Sequence, residues 1–308
     1  DIIQEFNDYD KDTRILTYKV LLEKFNSKYD SLSEEQKTVL KEFINSVDST
    51  PGLRNFYNIL VYDIDQNKSN STIQNVVQES NIIFQCLPTP MKKNGECDLS
   101  IVEKSLKNID NIALQLKNNP IVIIKSTVPP GTCERLNNSL QNINIVFNPE
   151  FLTEANSIND FKNQTRIILG GPRPYTTQVK IMFKRAFPNI PIIKTGYKTA
   201  EMVKYFINNF LATKISFANE MYEICESLDI DYDKVTEYAL YDQRIGKSHL
   251  AVPGHDGDKG FGGHCFPKDL DAMIYLMTQN NIESVILKAT KEKNNIVRKN
   301  RDWESMPG

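Results

Sequence analysis

Between about residue 58 and residue 197 the chain alternates short apolar runs with amphipathic stretches, and this alternation restricts its fold more than any other feature. The runs are Ile59-Leu-Val-Tyr-Asp63, Ile82-Ile-Phe-Gln-Cys-Leu87, Ile121-Val-Ile-Ile124, Ile143 to Phe147 and Arg166 to Leu169. Continuous apolar runs of this length suit strands covered on both faces, as in a parallel sheet flanked by helices. Asp98 opens a helical pattern through Leu116, and Pro174 opens another through Phe187. The βαβ alternation predicts an α/β class with a doubly wound parallel sheet.

After Gly196 the pattern changes. Met202, Val203, Phe206, Ile207, Phe210, Leu211, Ile215, Ala218, Met221, Tyr222 and Cys225 recur at helical spacing with hardly a turn residue between them. The spacing predicts one helix over about residues 199–226, roughly 27 residues and ~40 Å long. It is apolar on more than one face, so it is the expected axis of a homodimer. An all-α region over residues 198–308 would follow a sheet domain over residues 56–197. The first 55 residues carry two amphipathic patterns, Leu16 to Phe25 and Leu32 to Val47, with Ser33-Glu-Glu-Gln36 fitting a capping box. They are expected to form a helical hairpin that ends at Ser49-Thr-Pro-Gly52.

Composition excludes several classes. Net charge is -2, with 25% charged residues, so no basic surface announces a nucleic acid or a membrane. Apolar runs fall far short of the ~20 residues that a membrane helix needs. The five cysteines are widely spaced, with no C-x-x-C pair, which argues against a disulfide framework or a zinc site and points to a cytoplasmic protein in a reducing compartment. His255-Asp-Gly-Asp258 lacks full calcium-loop spacing, so no metal is expected.

Four segments carry a resemblance: Lys125-Ser-Thr-Val-Pro-Pro-Gly-Thr132, Asn148-Pro-Glu-Phe-Leu-Thr-Glu154, the helix around Lys204 and Asn208, and Gly260-Phe-Gly-Gly-His-Cys-Phe-Pro-Lys-Asp269. In that order the chain resembles the UDP-glucose/GDP-mannose dehydrogenase family over roughly residues 58–300. The resemblance implies a Rossmann-like domain followed by a helical central domain, NAD as cofactor and a nucleotide-sugar as substrate, with UDP-glucose favoured by Asp242 to Gly246. It implies that Cys265 is a nucleophile that forms a thioester in a two-step oxidation. Read from composition alone, a free cysteine is more often a small buried hydrophobe.

The same resemblance assigns Lys204 and Asn208, four apart on one helix face, to the oxyanions. Glu154 would serve thioester hydrolysis, and Asp269 and Thr127 would hold the water. Glu150, Phe151, Leu152, Gly262 and Arg244 would meet the nucleotide-sugar, Arg244 in some members across the dimer interface. Asp63 would take the adenine-ribose hydroxyls, with Pro88, Thr89, Thr127, Glu154 and Lys268 lining the cofactor. The glycines at 260, 262 and 263 are expected to let the backbone approach the sugar and turn its amides towards developing negative charge. Outside the resemblance, each polar residue is more often a cap or a surface charge.

Two departures qualify this picture. The family's glycine turn, which binds the pyrophosphate about 20 residues before the ribose acid, is missing; Gly52 is the only glycine before Gly95. The first 55 residues are therefore read as foreign to the enzyme. The resemblance also implies a further α/β domain gripping the uridine beyond Gly308. A non-catalytic dimer that holds the sugar but not NAD, and a single-step hydroxyacid dehydrogenase, stand as rivals. GDP-mannose and an N-acetylated UDP-sugar stand as alternative substrates.

Overall fold

The computed structural model describes residues 16–17, 59–152 and 156–305. These residues divide into two compact units. The first runs to Thr89 and resumes over Leu99–Glu201; the second takes Pro90–Asp98 and the residues from Met202 on.

The first unit is built on a six-stranded, parallel-dominated sheet whose strands neighbour one another in chain order. In sequence its elements are β1 (Leu16–Thr17), α1 (Ile73–Glu79), β2 (Ile82–Gln85), α2 (Ser100–Leu116), β3 (Ile121–Ile124), α3 (Thr132–Ser139), β4 (Asn144–Phe147), α4 (Ser157–Lys162), β5 (Ile167–Gly170), α5 (Arg173–Ala186) and β6 (Ile192–Thr195). Strands β1 to β4 are parallel, as are β5 and β6; β4 meets β5 antiparallel at Phe147 and Gly170. All four residues of β3 and of β5 are buried, the condition that their unbroken apolar runs require. On one face Phe84, Ile121, Ile123, Val146, Leu169 and Phe183 form the main core.

Two expectations at the start of the sheet are corrected. Ile59–Asp63 is not a strand. The Asn70 carboxamide accepts from the Val61 amide at 2.6 Å and donates to the Ile59 carbonyl at 3.2 Å, and the Val61 carbonyl accepts from the amides of Asn70 and Ser71. A local side chain thus does what a neighbouring strand would do. Leu16–Thr17, expected in a helix, pair in parallel with Ile82–Ile83. Ile15-Leu-Thr-Tyr18 is rich in strand formers, and the edge of β2 presents backbone groups that need partners. At these two residues the segment takes part in the sheet instead of standing apart; the rest of the expected helical hairpin lies outside the described residues.

Helix α6 (Tyr197–Ser227) runs 31 residues, and the division between the units falls after its first turn. The second unit adds α7 (Tyr232–Ala239), α8 (Phe266–Gln279), α9 (Val285–Val297) and α10 (Asp302–Ser305). Ala212, Phe261 and Leu270 form one of its cores. Pro90–Asp98 joins this helical unit as a tight excursion closed by a Met91–Cys97 bridge. Among the described residues no helix is long and apolar enough to cross a membrane.

Within the first unit, Glu201 on α6 is fully buried and accepts from the amides of Gly131 (2.6 Å) and Cys133 (2.8 Å) at the start of α3. Gly131 has φ 95°, so a residue tolerant of the left-handed region is required there. Burial pushes the Glu201 carboxyl up, against the lowering effect of the two amides. Glu201→Ala strands two amides at a helix start and is expected to cost about 2–3 kcal/mol. Lys198→Ala, which removes only an exposed ion pair to Glu134, is expected to leave the thermal midpoint where it is. Calorimetric unfolding of the two variants checks this; equal midpoints would contradict the role given to Glu201.

Candidate active site

In the first unit, residues of two motif segments meet at the carboxyl ends of the parallel strands, where ligands of open α/β sheets bind. The Ser126 hydroxyl exchanges two hydrogen bonds with the backbone of Leu87, and the Thr89 hydroxyl donates to the Thr127 carbonyl at 2.9 Å. Pro88 is half-buried beside them. The buried Lys125 donates to Asn148 Oδ1 at 2.7 Å and pairs with Glu150 Oε1 at 3.3 Å; Asn148 in turn donates to the Ile168 carbonyl. Phe151 is capped by the Arg166 guanidinium at 4.4 Å, and Leu152 is half-buried. Glu154 lies outside the described residues. Neither Lys125 nor Asn148 was singled out from sequence. The signal was present, since a lysine directly after the buried run Ile121–Ile124 needs a partner.

Asp63 is fully buried, and its Oδ1 accepts from the Asp65 amide at 2.8 Å, which fixes the carboxylate. The donor set of this unit fits NAD in kind. Hydroxyls and carbonyls lie at the ends of β2 and β3, while the expected ribose acid, Asp63, is buried with its carboxylate on the Asp65 amide.

In the second unit the site rests on α6 and α8. Lys204 and Asn208 are both buried on α6. Asn208 Nδ2 donates to Asp269 Oδ2 at 2.6 Å, and Lys268 Nζ pairs with Asp269 Oδ1 at 2.7 Å. Asp269 is 1% exposed, so both oxygens of a buried carboxylate have polar partners. Burial alone would lower Lys268, yet Asp269, with the Cys97 and Cys265 thiols, raises it above its ordinary value. Lys268, expected at the cofactor, is thus held as a charged ammonium on the first turn of α8, which Cys265 caps.

Cys265 occupies the N-cap position of α8 and is exposed. The other four thiols are buried or half-buried. Burial pushes Cys86 up to about 12, and it pushes Cys133 well above its ordinary value, so neither thiol is a nucleophile at neutral pH. The reading of Cys265 as one more buried hydrophobe is excluded by its exposure. Phe266, the first residue of α8, packs edge-on against Phe261 at 6.0 Å and His249 at 5.8 Å, anchoring the helix start.

The expected reason for the glycines is corrected. A Cβ at Gly262 would meet Arg298 Nη2 at 2.5 Å and Asp302 Oδ1 at 2.7 Å, and one at Gly260 would collide with Asn294 Oδ1. Gly260 and Gly263 also have φ of 70° and 74°. The Gly263 amide donates to Asp302 Oδ1 at 3.1 Å and the Gly260 amide to Asn219 Oδ1 at 3.2 Å. Glycine at 260 and 262 therefore makes room for the protein's own side chains, and the amides of Gly260 and Gly263 are used internally instead of facing an oxyanion. Asp256 and Asp258 flank Arg298, at 2.7 Å and 3.6 Å. Arg244 projects into solvent, held in a fork by Asp242.

Residues 51–186 match the NAD binding domain of the UDP-glucose/GDP-mannose dehydrogenase family, and residues 198–296 match its central domain. The chain belongs to this family. The UDP-glucose 6-dehydrogenase of Rickettsia bellii is 35% identical over 245 residues, covering 78% of this chain and 53% of that protein. The UDP-glucose 6-dehydrogenase TuaD of Bacillus subtilis is 35% identical over 261 residues, covering 81% of this chain and 54% of that protein. The chain thus spans about half the length of these curated relatives. Among solved structures, a UDP-glucose dehydrogenase from the hyperthermophilic archaeon Pyrobaculum islandicum aligns with a TM-score of 0.73 at 24% identity, over 94% of this chain and 70% of that one, a likeness of fold.

Proposed function

We propose that this chain carries the NAD-dependent, four-electron oxidation of UDP-glucose to UDP-glucuronate, with Cys265 forming a thioester. The observation that carries the reading is the exposed Cys265 at the N-cap of α8, one turn before a charged Lys268, in a region that matches the family's central domain. Both curated relatives described above are named UDP-glucose 6-dehydrogenase, which favours that sugar over GDP-mannose or an N-acetylated UDP-sugar.

Asp63, Pro88, Thr89 and Thr127 are the residues assigned to NAD, which would accept one hydride in each oxidation. Cys265 captures the aldehyde: its sulfur bonds to the carbonyl carbon, and the oxygen, now negative, is met by Lys204 and Asn208. Lys268 and the α8 amino end favour the thiolate. The thiohemiacetal carbon then loses its hydrogen as the second hydride and its C=O re-forms, leaving the thioester; water adds to that carbonyl carbon, the C–S bond breaks, and the proton returns to the thiolate, with Asp269 and Glu154 the acids assigned to this step. Asp269 also orients Asn208 and Lys268 through its two oxygens. Glu150, Phe151 and Leu152 are assigned to the sugar, with Glu150 steadied by Lys125.

The missing glycine turn favours a second reading, a dimer that holds nucleotide-sugar without NAD. One assay separates the two. With UDP-glucose and excess NAD, two NADH per sugar are expected, and Cys265→Ala is expected to release no glucuronate. One NADH per sugar would exclude the thioester route, and no heat on NAD titration would assign the chain to the second reading.

A second copy of this chain is the proposed partner of α6. Met202, Phe206, Phe210, Phe217, Met221 and Ile224 lie exposed along the helix, Phe206 and Phe210 at 68% and 61%, with their rings stacked. An apolar stripe of this length is self-complementary across a two-fold axis. Light scattering is expected to give twice the chain mass, falling to one chain mass in Phe206→Asp/Phe210→Asp; a monomer before substitution contradicts the proposal.

A further inference from the structure

The segment that delivers Cys265 is irregular backbone, yet its groups are matched one by one to side chains distant in sequence. Asn294 is buried on α9 and makes two bonds to one residue of this segment: its Oδ1 accepts from the Phe261 amide at 2.7 Å, and its Nδ2 donates to the Phe261 carbonyl at 2.9 Å. That paired donor and acceptor is what a neighbouring strand offers, supplied here by a single carboxamide. One residue on each side is held as well: Gly260 by Asn219 on α6, and Gly263 by Asp302 on α10. Arg298, its side chain 2% exposed, fills the space beside Gly262 and pairs with Asp256. The amides of Lys299 and Asn300 donate to Asp258 Oδ2. Asp256 and Asp258 are both held below the usual carboxylate range: at Asp256 burial pushes up but Arg298, the Asp258 amide and His255 together outweigh it, and at Asp258 the Asn300 amide leads.

Resting on the reading of Cys265 as nucleophile, we propose that Asn294 is the positioning residue of the Cys265 segment, with Asp302 as its second anchor. Asn294 acts through the backbone of Phe261. Two residues further on, Asp302 fixes Gly263, so that the turn ends with Cys265 at the N-cap of α8, one turn before Lys268. A carboxamide is required because both of its ends are used. Aspartate offers only acceptors, and leucine offers neither. The same clamp explains glycine at 260, because Asn294 Oδ1 lies where a Cβ would stand.

The test is the pH profile of Cys265 alkylation by iodoacetamide, read from the Cys265 peptide by mass spectrometry, alongside amide exchange over residues 260–264. In the unsubstituted chain the thiol is expected to titrate below the ~8.5 of free cysteine. Asn294→Asp and Asp302→Ala are each expected to move the profile up, with alkylation at pH 7 slowed about tenfold and exchange at 260–264 quickened. Asp302→Asn keeps an acceptor for Gly263 and is expected to restore the profile. Asp302 is half-buried where Asn294 is buried, so its pair of variants decides the matter if Asn294→Asp unfolds. An unchanged profile and unchanged exchange in folded variants overturn the clamp. A free-cysteine profile in the unsubstituted chain overturns the nucleophile reading alone, and the clamp is then judged on exchange, where faster exchange supports it and no change refutes it.

Discussion

The site of the helical unit depends on one buried carboxylate. Asp269 takes the Asn208 amide on one oxygen and the Lys268 ammonium on the other, and its own backbone amide closes the first turn of α8 on the carbonyl of Cys265. Burying this charge is tolerable only because both oxygens are matched. In return, Asn208 is fixed relative to α8, and Lys268 stays protonated despite its burial. An ammonium kept charged on the first turn of the helix that an exposed cysteine caps favours the thiolate form.

Both motif-bearing units use the same device. Irregular backbone near the strand ends and before α8 is secured by polar side chains from other elements: Glu201 on the start of α3, Asn148 between Lys125 and β5, Asn294 and Asp302 on the Cys265 segment. Loops held in this way retain a defined shape without regular hydrogen-bond ladders. It also gives several motif residues a structural reason for their identity. Gly131 needs its positive φ, and Gly260 and Gly262 need the absence of a Cβ.

Much of this was legible in the sequence wherever burial was symmetric. The runs at Ile82, Ile121, Ile143 and Arg166 became strands because both faces of the sheet are covered, and the long apolar helix appeared slightly longer than its pattern. β6 escaped notice because Ile193 and Lys194 are exposed, so its pattern is weak. Ile59–Asp63 misled because an apolar run does not reveal that Asn70 will occupy its backbone. The motifs drew attention to Cys265, Asn208 and Asp269, and the structure puts Asn208 on Asp269 and Cys265 at the start of α8. Asn294 and Arg298 were not, since nothing local links α9 to a loop 33 positions earlier. The pairing of Lys268 with the adjacent Asp269 was not legible from the motif.

The central claim is that Cys265 bonds covalently to the oxidised sugar. Acid-quenching the chain during turnover of UDP-glucose with NAD, followed by peptide mass spectrometry, tests it most directly. The account predicts an acyl or thiohemiacetal adduct on the peptide containing Cys265 and on no other cysteine. Turnover to glucuronate with that peptide unmodified throughout, or with the adduct on Cys97, would contradict it.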